Sequence, residues 1–206
     1  VVIVNKPKGM TSHDVVSRMR KIFGTRRVGH TGTLDPMATG VLPVCIGSAT
    51  KAADMLTESD KRYRAVMELG KRSDTLDIDG TITETSEVDA SEADIIKTVA
   101  EFVGEYDQLP PMYSAIKKNG KRLYELARNG IEIDRDRRHV KIYSVDILDI
   151  SLPYVTIDVR CSKGTYIRAL CDDIGSALGC GAVMTELCRT GTAGSRISEA
   201  YTPEEL

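Results

Sequence analysis

The sequence predicts an α+β fold, and three observations predict it. Residues 62–69 and 154–161 alternate in polarity with the period of two that a strand imposes on its faces. Residues 15–23, 95–103 and 166–178 instead carry apolar side chains at helical spacing. The first two of these helical stretches follow a hydroxyl residue with Asp three positions on, the form of a capping box. At 206 residues, 41% hydrophobic and 28% charged, the chain is long enough for one globular domain with its own core, 1–206. No apolar run reaches the length of a membrane span and nothing at the start resembles a signal peptide. The first residue is Val rather than Met, so a trimmed start is expected.

Taken in order, residues 1–4 read as a short buried strand that ends at Asn5-Lys6-Pro7-Lys8-Gly9. Thr11 and Asp14 then cap a helix whose inner face is Val15, Val16, Met19, Ile22 and Phe23. Residues 49–56 read as a short helix. The strand over 62–69 turns Tyr63, Ala65, Met67 and Leu69 one way and Arg62, Arg64, Val66 and Glu68 the other. Ser91 and Asp94 cap the next helix, with Ile95, Ile96, Val99, Phe102 and Val103 on one face. From 109 to 138 the character changes: Pro110-Pro111, the turns Asn119-Gly120 and Asn129-Gly130, and dense basic charge. Few residues there could anchor a core, so the segment reads as an excursion from the main sheet, with 121–128 a short helix presenting Leu123 and Tyr124. Residues 140–150 and 154–161 read as strands, the second turning Val155, Ile157, Val159 and Cys161 inward. A turn at 162–165 leads into a helix striped by Tyr166, Ile167, Leu170, Cys171, Ile174 and Leu178, and 182–187 is a last apolar segment.

Composition narrows the function less than the arrangement of charge does. The net charge of −2 does not mark a nucleic-acid partner. Residues 74–94, however, hold eight acidic residues and no Lys or Arg, whereas 117–141 hold nine basic residues against four acidic ones. Such a basic segment is either a solvated face or the footprint of a phosphate backbone, and composition does not choose. The five cysteines, at 45, 161, 171, 180 and 188, are odd in number and lack CxxC spacing. That pattern argues against a disulfide framework and a zinc site, and for a reducing cytoplasm.

The chain is organised around residues 29–51, GHTGTLDPMATGVLPVCIGSATK. This stretch carries a single carboxylate, Asp35, between Gly32 and Pro36 and among Thr31, Thr33 and Thr39. Proline biases the residue before it away from helical angles and lacks a backbone donor. An isolated Asp-Pro reads as a turn or cap. The whole stretch is more specific: its GHTGTLDP resembles the signature loop of the TruB family of tRNA pseudouridine synthases. KPKGMTS at 6–12, DKRYRAVMELG at 60–70, PPMYSAIKKNGKRLYELARNG at 110–130 and KGTYIRAL at 163–170 resemble further motifs of that family, in family order. The resemblance covers the chain from Lys6 to about Leu187.

That resemblance implies the pseudouridine synthase fold, a mixed, largely antiparallel sheet flanked by helices. It makes Asp35 the catalytic nucleophile and Arg168 its partner. Read from the residues alone, Arg168 pairs with Asp35 or, on a helix surface, with Asp172 four positions on. Tyr63, which periodicity alone assigns to core packing, becomes the residue that stacks on the flipped base. His30 contacts RNA at the mouth, and Tyr166 and Leu187 line the base pocket. The 109–138 segment becomes a mobile insertion that closes over RNA, with Lys117, Lys118, Lys121 and Arg122 on the phosphate backbone. Lys6 and Pro7 pack beneath the catalytic loop.

The implied reaction breaks the C1′–N1 bond of a uridine, most specifically position 55 in the tRNA T loop, and joins C5 to C1′. Nothing is oxidised and no group is imported, so neither cofactor nor metal is expected. The expected partner is the tRNA T-arm stem-loop, with the protein monomeric, cytoplasmic and free of membranes. Family members usually continue into a C-terminal RNA-binding domain, expected to be absent here through trimming or a naturally short chain. The rivals are a guide-dependent synthase of the dyskerin type, a non-catalytic RNA-binding or RNA-folding module, and a nucleoside hydrolase. The lack of extra terminal segments favours a stand-alone bacterial enzyme over the first. The presence of Asp35, Tyr63 and Arg168 together argues against the second, and glycoside hydrolysis usually needs two carboxylates.

Overall fold

Alternating stretches become strands and capped stretches become helices in the computed structural model, which describes every residue except Asn119. The Asn119-Gly120 turn therefore lies partly outside the described residues. The first half of the chain runs β1 (Val2–Lys6), α1 (Ser12–Ile22), β2 (Val28–His30), β3 (Thr39–Ile46), a 3-10 helix (Gly47–Ala52), α2 (Ala53–Thr57), β4 (Lys61–Leu69), β5 (Lys71–Ser73), β6 (Ile82–Thr85) and α3 (Glu92–Glu101). It continues with β7 (Gly104–Gln108), β8 (Lys117–Lys118), β9 (Lys121–Arg122), α4 (Leu123–Arg128), β10 (Arg138–Ser151), β11 (Tyr154–Cys161), α5 (Ile167–Ala177), β12 (Ala182–Thr192), β13 (Ser195–Arg196) and a final 3-10 turn. The class is α+β, with a mixed, mostly antiparallel sheet. No helix among the described residues is long and apolar enough to cross a membrane.

Two compact units share this sequence. The first comprises Val1–Ala65, Asp158–Lys163 and Glu186–Leu206. Its strands follow the order β1-β3-β12-β4-β11, with β2 also on β3 and β13 on β12. β1 and β2 pair antiparallel with β3, while β12 runs parallel to it through Cys188↔Thr39 and Arg189↔Gly40. Thr11 caps α1 through both halves of the predicted box, and Val15, Val16 and Met19 are buried. Ile22 and Phe23, expected on that inner face, are exposed at the C-terminal end of the helix, beyond the buried Met19. The single helix expected over 49–56 is instead a 3-10 helix followed by one α-turn.

The second unit comprises Val66–Ile157 and Gly164–Thr185, with strand order β12-β4-β11-β10-β7 and two small ribbons, β5-β6 and β8-β9. Ser91 and Asp94 cap α3 as predicted, and Ile95 and Val99 are buried. Ile96 and Val103 face out, so the apolar stripe is narrower than its sequence. Glu68, on the face of β4 opposite Tyr63, is buried, its carboxylate 2.7 Å from Lys71 Nζ. The 109–138 segment is better anchored than its composition indicated: Met112, Ser114 and Leu123 are all buried. Leu123 N–H donates to Ile116 O and Tyr124 N–H to Ser114 O, which ties α4 back onto 114–116.

Candidate active site

The Asp35 loop leaves β2 after His30 and re-enters β3 at Thr39, and three anchors from earlier in the chain hold it. Ser12, in the first turn of α1, brackets Leu34: its Oγ donates to Leu34 O (3.1 Å) and accepts from Leu34 N–H (2.9 Å). Asp35 O accepts from Ala38 N–H at 3.0 Å, which makes the Asp-Pro step a turn. Pro36 O accepts from Gly9 N–H (2.8 Å) and from Lys6 Nζ (3.2 Å). Lys6 is 0% exposed and also donates to Met10 O at 2.6 Å. Burial pulls its pKa down to about 8, and the Asp35 charge is the largest influence in the opposite direction. Lys6 thus packs beneath the loop, as expected. Asp35 itself is half-buried, more open than a sequestered carboxylate.

A second cation joins this loop, and sequence reasoning missed it. β12 extends to Thr192, well past the apolar segment at 182–187, and carries Arg189 at 1% exposure. Its Nε donates to Val41 O (2.7 Å) and its Nη2 to Gly32 O (3.0 Å). The hydroxyl of Tyr63, buried on β4, lies within the electrostatic influence of Arg189. Burial raises the Tyr63 pKa, Arg189 opposes that most, and the Asp35 charge adds a smaller push upward. The available signal was an arginine two positions beyond Leu187, at the strand period, where a core-facing residue was due.

The remaining predicted residues of this unit take distinct places. His30 is half-buried, its Nδ1 has no hydrogen-bond partner among the described residues, and its pKa is lowered by burial first and Arg189 second. It is therefore neutral near pH 7, suited to hydrogen bonding rather than to a charge contact. Leu187 is buried, and its carbonyl accepts from Thr39 Oγ1 at 3.4 Å. His30, Asp35, Tyr63 and Leu187 thus lie in one unit, together with Lys6 and Arg189.

Arg168 and Tyr166 belong to the second unit. Arg168 is 4% exposed, too buried for the surface pair with Asp172, and Asp172 pairs with Arg72 at 2.9 Å. Within its unit the Arg168 guanidinium donates to Thr75 O (2.8 Å) and Tyr113 O (2.9 Å) and lies 3.4 Å from Asp77. Tyr166 is held at the start of α5 by Gln108, which accepts from its N–H and donates to its carbonyl. Lys117, Lys118, Lys121 and Arg122 form the β8-β9 ribbon. Lys117 and Lys118 border a cleft of about 240 Å³ with Arg135, Arg137 and Arg138, floored by Ile116 and Leu123.

A family model described as the TruB family pseudouridylate synthase N-terminal domain matches residues 20–167. The chain belongs to the TruB family. Residues 168–206 match a second model, described as the tRNA pseudouridylate synthase B C-terminal domain; that segment divides between the two units rather than forming one of its own. The chain is 52% identical over all its 206 residues to a tRNA pseudouridine synthase B of Clostridium kluyveri, covering 71% of that protein. Against the protein of the same name from Alkaliphilus oremlandii it is 54% identical and covers 69%. Among solved structures it resembles one from a Cbf5-Nop10-Gar1 complex (TM-score 0.78, 36% identity) and one from an H/ACA RNP bound to a substrate RNA containing 2′-deoxyuridine (0.75, 32%). The chain spans about half the length of each of those two, 51%. A pseudouridylate synthase at 16% identity and a TM-score of 0.50 shares the fold. The TruB match includes the Asp35 loop and the Tyr63 strand in its first model and Arg168 in its second.

Proposed function

We propose that this protein isomerises uridine to pseudouridine in tRNA, at position 55 of the T loop, with Asp35 as the nucleophile. One observation carries the reading: a half-open carboxylate stands on a loop pinned by Ser12, Lys6 and Arg189, and the electrostatic influence of Asp35 reaches Lys6 and Tyr63. The reaction breaks C1′–N1, turns the uracil, forms C5–C1′, and moves one proton from C5 to solvent while N1 gains one. The Asp35 carboxylate serves this by attacking C1′, by attacking C6, or by drawing a proton from the ribose. The target base leaves its stack first, and Tyr63 offers it an aromatic face. Arg168 supplies the guanidinium that keeps the carboxylate ionised, while Tyr166 and Leu187 bound the base and His30 meets the RNA.

The 109–138 segment closes over the RNA, with Lys117, Lys118, Lys121 and Arg122 on phosphates. The protein works as a cytoplasmic monomer, without metal or cofactor. A guide-dependent reading draws on the Cbf5 and H/ACA structures, but the stand-alone reading rests on higher identity across the whole chain.

The test is incubation with an unmodified tRNA transcript alone, followed by nucleoside analysis. Pseudouridine formed without guide RNA or partner proteins supports the reading. Free uracil would make the protein a hydrolase, and unchanged uridine with tight binding would make it an RNA-folding module.

A further inference from the structure

Among the described residues, two that are not glycine carry a positive φ: Ala193 at +52° and Leu76 at +65°. The turn accounts for Ala193, since with Gly194 it joins β12 to β13, and a two-residue hairpin asks for positive φ. Leu76 has no such reason, because residues 74–81 join β5 to β6 and a connection of that length does not impose it. A bulky side chain at positive φ crowds its own backbone, and the conformation persists only where the surroundings hold it. Here the second unit holds it through the main chain. Leu76 N–H donates to Ser73 O (3.3 Å), Leu76 O accepts from Met184 N–H (3.2 Å), and Ile78 N–H donates to Met184 O (3.0 Å).

The reversal at 76 brings its two neighbours to one guanidinium. Thr75 O accepts from Arg168 Nη1 at 2.8 Å, and the Asp77 carboxylate lies 3.4 Å from the same nitrogen. In an extended chain the carbonyl of 75 would lie in the plane of the strand and the side chain of 77 perpendicular to it, so the two would not converge. Thr75 Oγ1 and Asp79 N–H both donate to Asp77 Oδ1 (2.6 and 3.2 Å), and Oδ2 is the oxygen turned to Arg168. Tyr113 O accepts from Arg168 Nη2 at 2.9 Å. We infer that Leu76 is a positioning residue for the isomerisation: its left-handed backbone presents Thr75 O and the Asp77 carboxylate together to Arg168 and so fixes the orientation of that guanidinium. The work is done by the backbone angle of residue 76, not by its half-buried side chain.

This role presupposes the pseudouridine reading, and single-turnover rates with an unmodified tRNA transcript separate the two. The limiting rate should follow the ease of positive φ rather than likeness to leucine. Leu76→Gly and Leu76→Asn, which take that conformation readily, should stay within about threefold of the wild type. Leu76→Val keeps an apolar side chain but is β-branched, and should lose at least about tenfold in limiting rate with RNA affinity within about threefold. In an Arg168→Lys background the further effect of Leu76→Val should shrink to about threefold or less, since the group it orients is already changed. A silent wild type would overturn the pseudouridine reading. With an active wild type, three results would each overturn the role of Leu76: Val milder than Gly, all three variants alike, or an undiminished effect of Val beside Arg168→Lys. Should Leu76→Val fail to fold, Leu76→Ala against Leu76→Gly decides the point. Alanine should be the slower of the two, and equal rates would mean that the backbone angle at 76 does not position Arg168.

Discussion

Replacing Gly40 by Ala tests whether the Asp35 loop depends on the close approach of β3 to β12. Gly40 has φ +102°, and an added Cβ would lie 2.3 Å from Arg189 O and 2.8 Å from Arg189 N. The backbone conformation alone costs a non-glycine residue roughly 1–3 kcal/mol. The clash is with backbone, so no rotamer change relieves it, and separating the strands adds roughly 1–3 kcal/mol. The expected loss is therefore about 2–6 kcal/mol, a large share of the roughly 5–15 kcal/mol that holds a domain together. Gly9→Ala is the internal control: its φ of +87° carries the conformational cost, but nothing lies within 4 Å. Urea unfolding followed by circular dichroism measures both. With a slope of about 3 kcal/mol per molar, Gly40→Ala should lower the midpoint by about 0.7–2 M and Gly9→Ala by clearly less. Equal shifts for the two variants would refute the argument that the strand approach, rather than backbone strain, excludes a side chain at 40.

Three other outcomes follow from the geometry. Lys6 has a folded pKa of about 8 against an ordinary 10.5, so between those values the unfolded chain binds the extra proton and stability rises with pH. The rise is at most about 3 kcal/mol across pH 8–10.5, and Lys6→Met should abolish it in urea titrations at a series of pH values. Arg168→Lys keeps a charge but cannot serve Thr75 O, Tyr113 O and a carboxylate together, so single-turnover rates should fall at least about tenfold with the fold intact. Neutralising Lys117, Lys118, Lys121 and Arg122 together should weaken RNA binding and flatten the slope of log affinity against log salt, as fewer counterions are released. The limiting rate at saturating RNA should change less.

Local chemistry was legible in the sequence and long-range partners were not. Thr11/Asp14 and Ser91/Asp94 cap their helices as read, because a capping box is complete within four residues. The inner face of β11 was equally plain, since strand period alone buries Val155, Ile157, Val159 and Cys161. Ile22, Phe23, Ile96 and Val103 were misjudged because helical spacing says which face is apolar, not how far the core reaches along it. Asp35 and Tyr63 were singled out through motif resemblance, and the structure adds what surrounds them. Arg189 was missed because its acceptors, Gly32 O and Val41 O, are backbone atoms far away in sequence. A backbone acceptor has no residue type to signal it. The anchoring of 109–138 was hidden in the same way, by Leu123 and Met112 scattered among basic residues.

The proposed isomerisation depends on the carboxylate of Asp35. Asp35→Asn keeps the size of the side chain and the backbone turn to Ala38, and removes only the charge and nucleophilicity. A tRNA transcript tritiated at C5 of uridine reports the reaction directly, because joining C5 to C1′ releases that hydrogen to water. The wild type should release tritium from the target uridine, and Asp35→Asn should bind the transcript with near-parental affinity and release none. Tritium release by the purified variant, free of wild-type enzyme, would contradict the assignment of Asp35.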